Sequence, residues 1–205
     1  MLRALVSIVL TSVLFTEVMA QDKESYSYFE KEVFFSEKFQ DNQNSWRIFY
    51  KKIKKERYIV ETIGKDLPLV STIPIKIDQG ENYEIEVVVS NDWNKSKDYM
   101  GLVWNRDANN GYYIGFNKEM STKLFFIEEG NRVVIEEKSR PEILYPMYEK
   151  NIITVRKVGR EFTLFINKVL IKTIPMDMGY RDHVGFFVGS SSELRAYSLT
   201  ISYLD

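Results

Sequence analysis

Apolar and polar residues alternate with a period of two along most of the chain that follows residue 20. In the segment YEIEVVV at 83–89, the odd-numbered positions are apolar, whereas Glu84, Glu86 and Val88 fall on the opposite side. Such alternation is typical of β-strands that bury one face. The helical spacing of apolar residues is nearly absent, so the pattern predicts an all-β protein.

The clearest predicted element is a β-hairpin between Tyr99 and Asn117. Two runs rich in aromatic and aliphatic residues flank a polar loop that ends in Asn-Gly. This dipeptide accepts the positive φ angles of tight hairpin turns. Because strand side chains alternate, one of Tyr112 and Tyr113 must face the interior and the other must face outward.

Turn residues separate further short runs that are rich in β-branched and aromatic residues. Strands are predicted over 33–39, 46–50, 58–62, 70–77, 83–89, 124–128, 133–137, 152–158, 162–166, 169–174, 184–189 and 194–203. Many short strands with turns between them are the pattern of a β-sandwich or barrel. No internal repeat and no interdomain linker is visible, so one domain is expected.

The N-terminus has the pattern of a secretory signal peptide. A short positive segment ending at Arg3 precedes an apolar run over 4–15, and the small residues before Gln21 suit cleavage there. The predicted division is a signal peptide over 1–20, an extension over 21–32 and a sandwich over 33–205. We expect a secreted or periplasmic protein without stable membrane insertion after cleavage; the alternative is an uncleaved anchor.

Composition excludes several classes of function. The formal net charge is −1 and the chain has no cysteine. Thiol catalysis and cysteine-ligated zinc are therefore excluded, and the absence of disulfides suits a bacterial envelope protein. No broad positive surface is expected, so nucleic-acid binding is not predicted, and the basic run over 51–57 is interpreted as a solvated hairpin. His183, the only histidine, has no nucleophile motif to serve.

Several blocks of the sequence resemble the concanavalin A-like lectin/glucanase group, and within it the bacterial laminin-G-like and keto-disaccharide-hydrolase-like domains. The blocks are FQDNQNSW at 39–46, YEIE at 83–86, GLVW at 101–104, NGYYIGF at 110–116, NIITVRK at 151–157, FTLFIN at 162–167 and VGFFV at 184–188. This resemblance implies a single jelly-roll β-sandwich of two antiparallel sheets. One departure is Lys168, which stands where the late Ile-Asn-Gly turn usually has glycine.

Two constellations could carry other chemistry. Glu84 and Glu86 share a strand face, as the catalytic acids of glycosidases do, but Val88 replaces the third acid of the related glucanases. The loop after Trp104 begins with the oxygen spacing of a calcium loop, which then fails at Asn110 and Phe116. No metal and no cofactor are therefore expected.

Aromatic and amide-rich loops are the best candidates for ligand contact, because tryptophan and tyrosine rings stack on the C–H faces of sugars. The predicted surface patch consists of Trp93, Trp104, Arg106, Asp107, Asn109 and Tyr113. The leading hypothesis is an exported, non-catalytic module that binds carbohydrate or cell-envelope glycan. The alternatives are a glycan-active hydrolase that uses Glu84 and Glu86, and a structural or protein-interaction module of the envelope. A core position for Trp104 is the competing interpretation of that residue.

Overall fold

The computed structural model describes residues 29–41, 44–46, 51–53, 56–62, 68–94, 97–107, 109–176 and 182–205. The strands within these ranges are β1 (Lys31–Glu37), β2 (Lys51–Ile53), β3 (Tyr58–Glu61), β4 (Leu69–Pro74), β5 (Tyr83–Asn94), β6 (Met100–Arg106), β7 (Gly111–Phe116), β8 (Ser121–Glu128), β9 (Asn131–Ser139), β10 (Lys150–Val158), β11 (Glu161–Ile166), β12 (Val169–Pro175), β13 (His183–Val188) and β14 (Ser192–Leu204). Turns and loops connect them. In this part of the chain, no helix has the length and apolar character needed to cross a membrane.

The strands form two antiparallel sheets that pack face to face. Sheet A has the order β12-β11-β10-β5-β14-β3-β2, with β1 also paired to β14. Sheet B has the order β4-β13-β6-β7-β8-β9. The predicted fold class, a jelly-roll sandwich of two antiparallel sheets, is confirmed, and so is the predicted hairpin, which forms β6 and β7. The predicted signal peptide lies outside the described residues.

Strand β14 organises sheet A because it has three partners. It pairs with β5 along one edge for most of its 13 residues. Along the other edge, residues 193–196 pair with β3 and residues 199–204 pair with β1. Within the described residues, β1 begins at Lys31, so the sandwich includes the last residues that the sequence interpretation assigned to the N-terminal extension.

Most predicted strands are present with shifted ends, and the shifts have local causes. Strand β5 continues past Val89 to Asn94 because β14 pairs with it as far as Asn94. The first predicted strand ends before Phe39, whose φ of 55° takes the chain out of the extended region. Trp46 lies outside any strand and is buried, and residues 47–50 are not among the described residues. Residues 51–53, the first part of the basic run, pair antiparallel with β3, as the predicted hairpin requires.

The core at one end of the sandwich is a group of aromatic rings held around one buried carboxylate. Phe39, Trp46, Tyr58 and Phe186 pack against one another with ring centroids 5.1–6.2 Å apart. Glu37 accepts hydrogen bonds from the backbone N–H of Phe39 at 2.6 Å and from the indole N–H of Trp46 at 3.2 Å. These donors compensate the cost of burying the charge and fix the path of the chain between β1 and Trp46.

Two hairpin turns of sheets A and B use the same backbone conformation with different residues. Glu129 and Gly130 take φ values of 51° and 83°, and Asn167 and Lys168 take φ values of 50° and 68°. Both pairs therefore have the positive φ at both central positions that a type I′ turn requires. The late turn places a residue with a Cβ where the earlier turn has glycine, and this costs conformational energy at Lys168.

We expect Lys168→Gly to stabilise the protein by about 1 kcal/mol, because the left-handed conformation no longer opposes a side chain. Urea unfolding of the wild type and the variant measures the difference. Lys168→Ala is the matched control, because it removes the charge and keeps the Cβ. Equal stabilisation by both substitutions would show that the charge, not the backbone, causes the effect.

Candidate functional site

Three pairs of consecutive aromatic residues in sheet B divide their rings between the two faces of the sheet. In each pair one ring packs toward sheet A, and the other lies on the outer face. The pairs are Tyr112 with Tyr113, Phe126 with Phe125, and Phe186 with Phe187, the inner ring being named first. The prediction that Tyr112 and Tyr113 face opposite ways is therefore confirmed.

The outer rings form a compact group, which we call the outer aromatic cluster: Tyr113, Phe125 and Phe187 with Val103. The rings of Tyr113 and Phe125 stack with centroids 4.7 Å apart and an interplanar angle of 7°. Phe187 meets both edge-on, at 5.4 Å and 5.7 Å. These offset-stacked and edge-on geometries are the arrangements that aromatic pairs prefer.

Gly115 leaves the backbone beside this cluster without a side chain. It pairs with Gly101 across β6 and β7, so neither strand has a side chain at that point. A Cβ on Gly115 would lie 2.8 Å from Cζ of Phe187 and 2.3 Å from the carbonyl oxygen of Met100. The ring of Phe187 can therefore lie close to the backbone only because these positions are glycine.

A groove with a volume of about 360 Å³ lies on the outer face of sheet B. Its apolar wall comes from Phe125 and Phe187 of the outer aromatic cluster, and its polar residues include Asp98, Lys123 and Arg132. Tyr99, just before β6, adds a further half-buried ring. The volume lies within the range of small-molecule sites, and the mixed lining is the usual composition of such sites.

Tyr99, Lys123 and Glu137 form a hydrogen-bonded group at this groove. The Tyr99 hydroxyl donates to Oε1 of Glu137 at 2.8 Å, and Nζ of Lys123 lies 2.8 Å from Oε2 of the same carboxylate. Lys123 Nζ also lies 5.1 Å from the centre of the Tyr99 ring. Hydrogen bonds from Lys123 and Tyr99 hold the pKa of Glu137 below its ordinary value. Burial, followed by the hydrogen bond to Glu137, raises the pKa of Tyr99.

Two arginines contact the outer aromatic cluster. Cζ of Arg132 lies 4.8 Å from the centre of the Phe125 ring, within cation–π range. Nε of Arg106 donates to the Tyr113 hydroxyl at 3.1 Å. The cluster is thus bordered by cationic side chains as well as by Val70, Tyr99 and Ile127, which pack against it.

Trp104 requires a correction, because a surface patch was predicted to include it. Its side chain is 0% exposed and lies between the sheets, stacked on Tyr112 at 5.4 Å and edge-on to Phe162 at 5.8 Å. The alternation of β6 turns Val103 outward and Trp104 inward. Trp104 therefore belongs to the core and cannot contact a surface ligand.

The other predicted site residues fall into different places. Arg106 and Tyr113 come together at the outer aromatic cluster, but Tyr113 is 3% exposed, so its prediction as a surface residue also requires a correction: its neighbours in the cluster cover the ring. Trp93 lies in β5 of sheet A, opposite Glu193 of β14, and its side chain is outside the described part of the structure. Asp107 and Asn109 lie at the tip of the β6–β7 hairpin, in which Asn109 is exposed.

The hairpin tip is held by side-chain hydrogen bonds to its own backbone. Oδ1 of Asp107 accepts from the backbone N–H groups of Asn109 and Asn110, both at 2.8 Å. The Asn110 amide oxygen accepts from the N–H of Glu129 at 3.0 Å, and the Asn109 carbonyl accepts from the N–H of Gly130 at 3.0 Å. Asp107 therefore shapes the loop, and the loop is tied to the β8–β9 turn. No group of three metal-ligating side chains occurs among the described residues.

Glu84 and Glu86 lie on the outer face of sheet A, since their neighbours in β5 point into the core. Glu84 is 3% exposed, and its two carboxylate oxygens contact Nη2 of Arg156 at 2.8 Å and Nζ of Lys31 at 2.5 Å. Burial, followed by the charge of Glu84, raises the pKa of Glu86. Glu84 thus joins β1, β5 and β10 through ion pairs.

Sequence interpretation missed most of the groove: Tyr99, Lys123, Phe125, Arg132 and Phe187. The sequence does contain a signal for these residues, because consecutive aromatic residues in a strand must point to opposite faces. That argument placed Tyr112 and Tyr113 on opposite faces, and it applies equally to Phe125 with Phe126 and to Phe186 with Phe187.

Comparison with known proteins identifies the architecture. No family model and no curated protein matches the chain. Its fold is similar to that of the carbohydrate-binding module CBM66 from Bacillus subtilis, with a TM-score of 0.56 and 18% identity over 70% of this chain and 85% of that chain. It is also similar to the CBM2 module of the evolved Dit protein of Lactobacillus casei BL23 phage J-1, with a TM-score of 0.55 and 8% identity over 86% and 97% of the two chains.

A third similar structure comes from work on endo-acting O-glycanases that prominent members of the human gut microbiota express to initiate mucin breakdown. Its TM-score is 0.65, with 8% identity over 85% of this chain and 100% of that chain. At these identities the likeness establishes the fold. The chain is thus an antiparallel β-sandwich of the architecture found in carbohydrate-binding modules.

Glu137→Gln tests the polar group of the groove through pH. Because the folded-state pKa of Glu137 is lowered, its charge stabilises the native state above the ordinary pKa of 4.5, and this stabilisation is lost as the pH falls through the folded value. We expect the variant to have a lower Tm than the wild type at neutral pH and an equal Tm well below the ordinary pKa. Thermal unfolding followed by circular dichroism over a pH series measures this.

Glu142→Gln is the control, since Glu142 is exposed in the loop that follows β9. Its effect on Tm should be small at every pH. A Tm difference for Glu137→Gln that stays constant over the pH series would contradict the role of the Glu137 charge.

Proposed function

We propose that this chain is an exported, non-catalytic carbohydrate-binding module that binds a glycan on the outer face of sheet B. The observation that carries the proposal is the groove of about 360 Å³, with aromatic rings in its wall and polar side chains at its border. A saccharide offers C–H faces to rings and hydroxyls to charged side chains, so it matches both parts of this lining.

The polar group beside the rings supports the same ligand class. Lys123 is a donor with further N–H groups, and the Glu137 carboxylate is an acceptor with further lone pairs, so hydroxyl groups of a sugar find both kinds of partner. Because Glu137 holds Tyr99 and Lys123 in place, the side chains need little ordering when a ligand binds. The sandwich fold shared with carbohydrate-binding modules is in keeping with this role.

The signal-peptide pattern at the N-terminus supports export, and a secreted or periplasmic location would place the module where glycans are displayed. The resemblance of the sequence blocks supports membership of the concanavalin A-like group. The ligand face proposed now lies on sheet B, where Arg106 and Tyr113 of the predicted patch lie at the outer aromatic cluster, whereas other residues line the groove itself.

The arrangement of Glu84 supports a non-catalytic role. Glycosidases use one carboxyl group as an acid and a second as a base or nucleophile, facing the sugar. Here Arg156 and Lys31 engage Glu84, which is almost fully buried. Release of reducing sugar from any glycan that the protein binds, with loss of the activity in Glu86→Gln, would overturn this part of the proposal.

Tyr99→Ala tests the binding face. We expect it to lower the affinity for the preferred glycan about tenfold, because the groove loses one aromatic surface and Glu137 loses the hydroxyl that holds it in place. A glycan array with the secreted form of the protein identifies the ligand, and isothermal titration then measures the affinity of each variant.

Tyr145→Ala is the matched control, since Tyr145 is a tyrosine that is 55% exposed in the loop between β9 and β10. Its affinity should equal that of the wild type. The proposal is wrong if the wild type binds no glycan on the array, or if both tyrosine variants bind as well as the wild type.

A further inference from the structure

The charges around the outer aromatic cluster are not balanced. Glu137 is engaged by Lys123 and Tyr99, and Asp98 accepts hydrogen bonds from the backbone N–H and the hydroxyl of Ser190. Arg106 and Arg132, by contrast, form no ion pair within the described part of the chain. Glu137 and Asp98 are therefore hydrogen-bonded to other groups, and the guanidinium groups of Arg106 and Arg132 can pair with the negative charge of a ligand.

These arginines differ from the others that contact acids in the structure. Arg140, Arg156 and Arg195 each pair with a carboxylate, at Glu136, at Glu84, and at Asp92 and Glu193. Arginines that serve only to keep a strand face soluble have no reason to gather at one place on the surface. Arg132 lies over the Phe125 ring, and Arg106 donates to the hydroxyl of Tyr113, the ring that stacks on Phe125.

The register of sheet B explains how the two side chains converge. Gly111 of β7 pairs with Ile127 of β8, and Ile127 pairs with Arg132 of β9. The side chain of Arg106 lies against Gly111, since a Cβ there would be 3.0 Å from its Cγ. The two arginines thus come from the two ends of one cross-strand row, and each contacts a residue of the next row, Arg106 the Tyr113 hydroxyl and Arg132 the Phe125 ring.

We propose that the glycan bound on this face is anionic, with a carboxylate or sulfate group held by Arg106 and Arg132. This inference rests on the proposed function and adds the ligand class. Guanidinium groups present paired N–H donors that match the oxygens of a carboxylate or sulfate. The Phe125 ring lies against the Arg132 guanidinium, and the Tyr113 hydroxyl accepts from Nε of Arg106, so other N–H donors of each arginine remain for a ligand. A neutral sugar would leave both charges without a counterion.

The experiment compares saccharides that differ only in charge. The probes are oligomers of polygalacturonic acid against the same oligomers with methyl-esterified carboxyl groups, and dextran sulfate against dextran. Isothermal titration at low and high salt gives the affinities. We expect tighter binding of one charged member than of its neutral partner, and an advantage that decreases with salt. If the galacturonate oligomers show this advantage, the face recognises a carboxylate; if dextran sulfate shows it, the face recognises a sulfate.

Variants assign the effect to the two arginines. Arg132→Ala should lower the affinity for the charged member roughly tenfold to a hundredfold, and Arg132→Lys should recover only part of it, because lysine keeps the charge without the paired donors. Arg106→Ala should act in the same direction. Arg160→Ala is the control, since Arg160 is exposed in the turn after β10 and its removal changes the net charge equally.

The outcomes separate this inference from the proposed function. If neutral members bind as tightly as charged ones and Arg132→Ala changes neither, the anionic preference is wrong while carbohydrate binding stands. An equal loss in Arg160→Ala and Arg132→Ala also overturns the inference, because the attraction is then unspecific. If neither these probes nor the glycans of an array bind the wild type, the proposed function fails as well.

Discussion

The pleat of sheet B is the constraint on which the rest of the structure depends. Consecutive residues of a strand must point to opposite faces, so an aromatic pair cannot bury both rings in the same core. Tyr112, Phe126 and Phe186 fill the space between the sheets, and their neighbours are left on the other side. Those outer rings pack on one another, and arginine side chains contact two of them. The same three aromatic pairs therefore supply one ring each to the core and one ring each to the outer face of sheet B.

Much of the fold could be predicted from the sequence, because alternation and turn residues are local signals. The hairpin of β6 and β7, the turn at Asn167 and Lys168, and the two-sheet class all follow from such signals. The end of β5 could not be predicted, since its length depends on pairing with β14, which is about a hundred residues away in the chain.

The candidate site was harder to predict than the fold. Arg106 and Tyr113 were identified because they lie in one hairpin, whereas Arg132 and Phe187 come from distant strands that only the sheet order brings beside them. Trp104 was misplaced because alternation alone does not tell which face of β6 is buried. The packing of Phe162 against Trp104 shows that its face belongs to the core. Asp107 and Asn109 have the residue types of a ligand loop, yet their hydrogen bonds maintain the loop itself.

The bonds between the β6–β7 loop and the β8–β9 turn have a consequence for the kind of selectivity this face can have. Asn109 and Asn110 connect the strand end that carries Arg106 to the turn that precedes Arg132. The backbone segments that carry the two arginines are thus held in register with each other, so the two side chains start from a defined spacing. For the anionic ligand proposed above, such a spacing would favour polymers whose negative groups recur at a matching interval, at the expense of a broad range of partners.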